Sequence, residues 1–172
     1  MQLTQFTDYS LRVLMFVGKE HGRVCTMREI AAYYGISMEH LRKVIHKLAR
    51  LGYLDSARGK GGGVTLGREP DKIRIGELIV AIEEDLNIVN CETLACVLTR
   101  GCSLKLALNR ASRAFIDSLN RTTLADLLGN RQLKRRFRGI DIIGQSAWRA
   151  SRSADRQSDL PRPAVAIPSR RP

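Results

Sequence analysis

Aromatic residues, histidine and acid are all scarce in this chain of 172 residues. One Trp, four Tyr and four Phe make up 5% of it, low but adequate for a core when 44% of the residues are hydrophobic. That apolar share excludes a wholly disordered chain. No run of 18 apolar residues occurs, so no transmembrane helix and no membrane partner are expected. The start, MQLTQFTDYSLR, has no basic segment followed by an apolar one, so no secretory signal is expected and the expected location is the cytoplasm. Neither G-x-G-x-x-G nor G-x-x-x-x-G-K-[ST] is present, nor any constellation of nucleophile and base. The chain is therefore not expected to be an enzyme. Seventeen acidic residues face 29 basic ones, a net charge of +12 with a pI near 10.2. Such an excess points to a polyanion as partner but says nothing about fold.

The charge is unevenly spread. Residues 130–172 hold 11 Lys/Arg and 3 acids, and four of the chain's five Pro. They lack sustained periodicity and are expected to form a basic, disordered tail with at most weak, non-specific attraction to phosphate. Residues 1–129 carry only +4. All of that lies between Ser37 and Lys60, where six basic residues meet Glu39 and Asp55. A local basic patch on a balanced domain is a better sign of nucleic acid than a high pI.

The first 75 residues read as a winged helix-turn-helix. Leu3, Phe6, Ser10, Val13/Leu14 and Val17 recur at helical spacing, which predicts a helix over Thr4–Lys19 bracketed at its end by Gly18 and Gly22. Thr26-Met27-Arg28-Glu29 is a capping box that opens a second, short helix. Gly35 stops it in a left-handed conformation, and Ser37 caps a third. In that third helix Leu41, Val44/Ile45, Leu48 and Leu51 face inward. Glu39, Arg42, Lys43, His46, Lys47 and Arg50 face outward. A short helix, a Gly turn and a basic amphipathic helix form a helix-turn-helix whose second helix enters the major groove. Arg42 and Lys43 suit guanine or phosphate, and Glu39 suits cytosine.

Two short strands, Tyr53-Leu54 and Val64-Thr65-Leu66, flank Arg58-Gly59-Lys60-Gly61-Gly62-Gly63. This is a flexible basic wing that can follow the DNA backbone. The candidate DNA-contacting set is Arg28, Ser37, Glu39, His40, Arg42, Lys43, His46 and Lys47 on the helices, with Arg58 and Lys60 in the wing. The fold class expected is mainly α with a small β wing.

Four cysteines remain. Cys25 stands alone and reads as a small buried residue. Cys91-x4-Cys96-x5-Cys102 forms a compact group in a loop between two expected helices, Gly76–Asp85 and one from Ser103 to about Leu119. A structural disulfide is disfavoured in a reducing compartment. An iron–sulfur cluster, zinc and thiol redox sensing all suit three thiolates, with the iron–sulfur cluster favoured because the CxxC pairs of a zinc ribbon are missing. No His follows Cys102 to supply a nearby fourth ligand. Leu104, Leu108, Ala111, Phe115 and Ser118/Leu119 make a near-heptad stripe, the natural contact of a two-fold dimer. Packing against the winged domain is the other use of such a stripe.

These segments resemble the IscR/NsrR superfamily of winged-helix iron–sulfur regulators, and within it the NsrR-type nitric-oxide-sensing repressors. The resemblance is carried by MQLTQFTDYSLR, YYGIS, RGKGGGVTLG, IRIGELI, LNIVNCETLACVLTRGC and TLADLL, and covers roughly residues 1–129. It implies that Cys91, Cys96 and Cys102 bind a 2Fe–2S or 4Fe–4S cluster. It further implies that Asp8 supplies the remaining ligand from the partner subunit. By its own i,i+4 spacing Arg12, one turn along, is expected to hold Asp8. Read from residues alone, Asp8 is an ordinary acid in the first turn of a helix. The implied domain plan is a winged helix over 1–75, a helix and cluster loop over 76–102, a dimerisation helix over 103–129, and the tail. The implied function is a homodimeric repressor on double-stranded operator DNA, released by nitric oxide. A related regulator of iron or cluster status, and more distantly a small iron–sulfur electron carrier, are the alternatives.

Overall fold

Short polar side chains start most of the helices. Thr4, in extended backbone, accepts from the Thr7 N–H and opens α1 (Gln5–Lys19). Thr26 and Glu29 cap each other's backbone at the start of α2 (Met27–Tyr34). Ser37 accepts from the His40 N–H and opens α3 (Met38–Arg50). Between α2 and α3 the chain turns through Gly35 at φ 66°, a conformation that costs a residue with a Cβ. The chain continues through β1 (Leu54–Ala57), β2 (Gly63–Leu66), a 3-10 turn at Pro70–Lys72, α4 (Ile75–Ile82), α5 (Ser103–Asn120) and α6 (Leu124–Gly129). This computed structural model describes residues 2–20, 22–57, 62–83, 85–89, 91, 96 and 101–130. Arg58, Lys60 and the expected tail from 131 onward lie outside the described residues.

β1 and β2 pair antiparallel, Leu54 opposite Leu66 and Ala57 opposite Gly63. Cys25 adds a further rung, exchanging backbone hydrogen bonds of 2.9 and 2.8 Å with Val64. The core lies where α1, α2, α3 and the hairpin meet, and is closed by Ile73, Leu78 and Leu124. Ser10, Val13, Leu14 and Val17 are buried on α1, and Leu41, Val44, Ile45 and Leu48 on α3, as their spacing requires.

α1 ends at Lys19, between Gly18 and Gly22 as expected, but several other boundaries differ. Gly18 is itself buried in the last turn of the helix. A Cβ there would stand 2.8 Å from Leu128 Cδ1 and 3.3 Å from Leu124 Cδ2, so glycine lets α6 pack down on α1. β1 extends through Ala57, with Asp55, Ser56 and Ala57 exposed and so without an apolar signal. α4 stops at Ile82, short of Asp85, because Glu83 is extended and engaged elsewhere. The stretch 103–129 is two helices, not one. Thr123 and Asp126 form a new capping box, and Thr123 pairs with Arg74 as an isolated bridge.

Candidate functional site

α3 presents the most strongly two-sided surface of the chain. Its four buried aliphatic residues fix which way it rolls, which leaves Glu39, His40, Arg42, Lys43, His46 and Arg50 exposed and Lys47 half-exposed. Ser37, also exposed, spends its hydroxyl on the cap and lies 3.0 Å from His40 Nδ1. Lys43 Nζ stands 2.9 Å from Glu39 Oε1, both side chains well exposed at 64% and 73%. The hydrogen bond from Lys43 holds the Glu39 carboxyl below the usual carboxylate range. An exposed i,i+4 pair of this kind contributes little to stability, so it yields readily to a phosphate or a base edge. Arg28 is exposed on α2. Its neighbour Glu29 is held by Thr26 and by Arg23, whose Nη1 lies 2.8 Å from it, and Arg23 also reaches Glu20 at the end of α1. The helix pair is thus braced at its entry.

α1 links this surface to the rest of the chain. It packs on α3, and Tyr9 approaches His40 with ring centroids 6.1 Å apart. Asp8, 47% exposed, receives Arg12 Nε on both oxygens at 3.0 and 2.9 Å. The Arg12 guanidinium also lies 5.8 Å from the centre of the Tyr34 ring on α2. Asp8 and α2 are therefore joined through one arginine, as the i,i+4 spacing of Asp8 and Arg12 anticipates.

The cysteines divide by burial. Cys25 is fully buried, and burial pushes its thiol up to about 11, which suits a structural role. Cys91 and Cys102 are half-buried and Cys96 is exposed; none of the four forms a disulfide. The Cys96 N–H donates to the Cys91 carbonyl at 3.4 Å. Cys102 caps α5, its sulfur 3.5 Å from the Lys105 nitrogen. Among the described residues no three His, Cys, Asp or Glu side chains are gathered as a metal site, and Asp8 does not join the cysteines within one protomer. The donor chemistry fits an iron–sulfur cluster, with three soft sulfurs outside any disulfide in one loop, one of them at the electropositive end of a helix.

α5 meets its own protomer with a mixed face, on which Leu108, Ser112, Ile116, Leu119 and Asn120 are half-buried. Ser112 donates to the Leu86 carbonyl at 3.0 Å, and the Asn120 side chain meets the backbone of Gly76. The opposite face carries Leu104, Ala111, Phe115 and Ser118, all exposed, with Leu104 64% accessible. No residue of α5 is buried.

Glu83 is a member of the site that sequence patterns do not reveal. Its carboxylate accepts from the Thr4 N–H at 2.7 Å and the Thr4 hydroxyl at 3.0 Å, across 79 residues of sequence. It joins the end of α4, where the cysteine loop begins, to the start of α1. Among the described residues, no helix is long and apolar enough to cross a membrane.

A family model described as Rrf2, iron-dependent transcriptional regulator, matches residues 3–130. The HTH-type transcriptional regulator NsrR of Bacillus subtilis is 45% identical over 136 residues, covering 77% of this chain and 93% of that one. Among solved structures, CymR, the global cysteine regulator of B. subtilis, superposes with a TM-score of 0.64 at 29% identity, covering 75% of this chain and 97% of that one. The IscR of T. potens shares the fold, with a TM-score of 0.61 at 24% identity over 75% of this chain and 87% of that one.

Proposed function

The chain belongs to the Rrf2 family of transcriptional regulators, and on that premise we propose that it is a cytoplasmic, homodimeric, iron–sulfur-containing repressor that releases operator DNA in response to nitric oxide. Its relatives are regulators rather than enzymes. The observation that carries the reading is one chain joining an exposed basic reading helix to a loop of three thiols outside any disulfide.

In this reading Cys91, Cys96 and Cys102, with Asp8 of the partner subunit, hold the cluster. When bound, that group supplies iron that reacts with nitric oxide. Every other part of the switch belongs to the chain's own residues. The uncharged stripe of α5 pairs with its copy and sets the separation of two α3 helices, which must match half-sites about 34 Å apart. Arg42 and Lys43 read base edges, while Arg28, Lys47, Arg58 and Lys60 neutralise phosphates. Asp8 has two alternatives, the thiol loop across the dimer or Arg12 on its own helix. Its position is tied to α3 because α1 packs there. A hundredfold change in DNA affinity needs only about 2.7 kcal/mol of coupling, which a small shift of the reading helices supplies.

The test is a titration of the anaerobically purified, DNA-bound protein with nitric oxide and, separately, with oxygen. Release by nitric oxide at stoichiometric amounts, from protein containing iron and sulfide, is expected. Colourless protein holding only zinc overturns the cluster. Release that follows iron or cluster supply, with indifference to nitric oxide, identifies instead a regulator of cluster status.

A further inference from the structure

Arg68 lies just beyond β2 and outside every DNA-contacting position inferred above. Its side chain turns back across the base of the hairpin. Nη2 donates to the Leu51 carbonyl at 2.7 Å and Nε to the Gly52 carbonyl at 3.0 Å. The guanidinium also sits 4.5 Å from the centre of the Tyr53 ring. Leu51 caps the C-terminus of α3, Gly52 turns the chain, and Tyr53 leads into β1. One arginine thus joins the cap of the reading helix to the segment that follows the far strand of the wing.

The placement has a physical reason. The carbonyls at a helix C-terminus have no intrahelical partners and carry partial negative charge, so a guanidinium there is favoured twice. Two four-residue strands are marginal by themselves and need an anchor at their base. On one side the Gly67 N–H donates to the Tyr53 carbonyl at 3.0 Å, and on the other Cys25 pairs with Val64. The Tyr53 N–H ties the start of the hairpin to α3 by donating to the Leu48 carbonyl at 2.9 Å. Arg68 adds the tie from the other end of the hairpin, to the cap and turn that follow α3, with a planar fork that a lysine cannot reproduce.

We propose that Arg68 is a positioning residue for DNA recognition, fixing the wing to the C-terminal end of the reading helix so that both engage one duplex together. The proposal rests on the DNA-binding reading above. Two contact elements held at a fixed angle act as a linked pair, and each raises the effective concentration of the other at its groove. Released from one another, each still binds phosphate, and what is lost is sequence discrimination.

The test compares full-length wild type with Arg68→Ala and Arg68→Lys. The probes are a duplex selected by the wild type from a random pool and a scrambled duplex of equal length. Both variants are expected to lose about tenfold or more of the selected-to-scrambled ratio, with the salt dependence unchanged. Thermal midpoints should stay close to wild type, and the Gly67 amide should exchange faster in the unbound protein. A salt slope lower by about one in Arg68→Ala, with Arg68→Lys behaving as wild type, makes Arg68 a phosphate contact and overturns the proposal. An unchanged ratio in both variants overturns it too. If Arg68→Ala fails to fold, Arg68→Lys decides by the same ratio and amide. A wild type that selects no duplex refutes the DNA-binding reading itself and the proposal with it, whereas a selective wild type with indifferent variants refutes the proposal alone.

Discussion

Glu83 and Thr4 tie α4 to α1: the residue that caps the C-terminus of α4 accepts the backbone N–H and the hydroxyl of the residue that caps α1. The first N–H groups of a helix have no intrahelical acceptor, and a carboxylate is well placed to receive them. Partial burial opposes ionisation of Glu83, but the hydrogen bonds from Thr7 and Thr4 outweigh it and hold the carboxyl below its ordinary range. The cysteine loop thereby begins from a fixed point against the first turn of α1, one turn before Asp8.

Glu83→Ala is expected to cost about 1 kcal/mol of stability, the usual scale of a lost helix cap. Its larger effect is expected to be local. Amide hydrogens from Gln5 to Asp8 should exchange faster while those of α3 keep their protection. Unchanged exchange in α1 would show that Thr4 alone holds the first turn.

Acid should weaken the protein through Glu29 as well. Burial raises its pKa, but hydrogen bonds from the Thr26 backbone, from Arg23 and from the Thr26 hydroxyl overcome that and lower it overall. A carboxyl depressed in the folded state contributes stability that is present above its unfolded value of about 4.5 and lost as pH falls through the folded value. Glu29→Gln should therefore flatten the loss of stability below that pH while lowering stability at neutral pH. Urea unfolding from neutral pH down to the acid limit measures both. Parallel curves for wild type and variant would assign the acid sensitivity to other carboxylates.

What was legible in the sequence follows the range of the interactions. Caps such as Thr26–Glu29 and Ser37–His40 act over three residues, so spacing reveals them, as it reveals the buried face of α3. The end of α4 is set by Thr4, 79 positions away, and the acidic run after Ile82 gives no local reason to stop. The apolar stripe of α5 is visible in sequence, but its direction is not. The Ser112 bond to the Leu86 carbonyl and the close approach of Asn120 and Ile116 to Gly76 are contacts between distant parts of the chain, with no local pattern to announce them. Cysteine spacing carries donor type and loop length.

Gly18 gives a test of the α1–α6 contact. Alanine in place of glycine gains up to about 1 kcal/mol in helix propensity. Its Cβ meets the far end of Leu128, a flexible side chain that can turn away, with Leu124 and Leu66 more distant. Gly18→Ala should therefore change the thermal midpoint little. Gly18→Val cannot be accommodated by one rotamer change and should destabilise by about 2 kcal/mol, the scale of overpacking a close helix contact. If both are tolerated equally, α6 does not pack on α1 as tightly as these distances require.

Lys43 is engaged by Glu39 at 2.9 Å on an exposed face, so in unbound protein the two charges offset each other. Removing the carboxylate with Glu39→Gln takes away one like-charge repulsion with phosphate and releases Lys43. Binding to scrambled duplex should tighten, and its salt dependence should steepen by up to about one unit as one more phosphate is neutralised. The selected duplex should gain less, because Gln presents donors as well as an acceptor where Glu presents only acceptors, and a cytosine contact is thereby weakened. The ratio of selected to scrambled affinity should fall although both affinities rise. A uniform gain on both duplexes would mean that Glu39 merely repels the backbone. A loss on both would place its carboxylate in a contact that the Lys43 ion pair only masks. Fluorescence anisotropy at a series of salt concentrations separates the three outcomes.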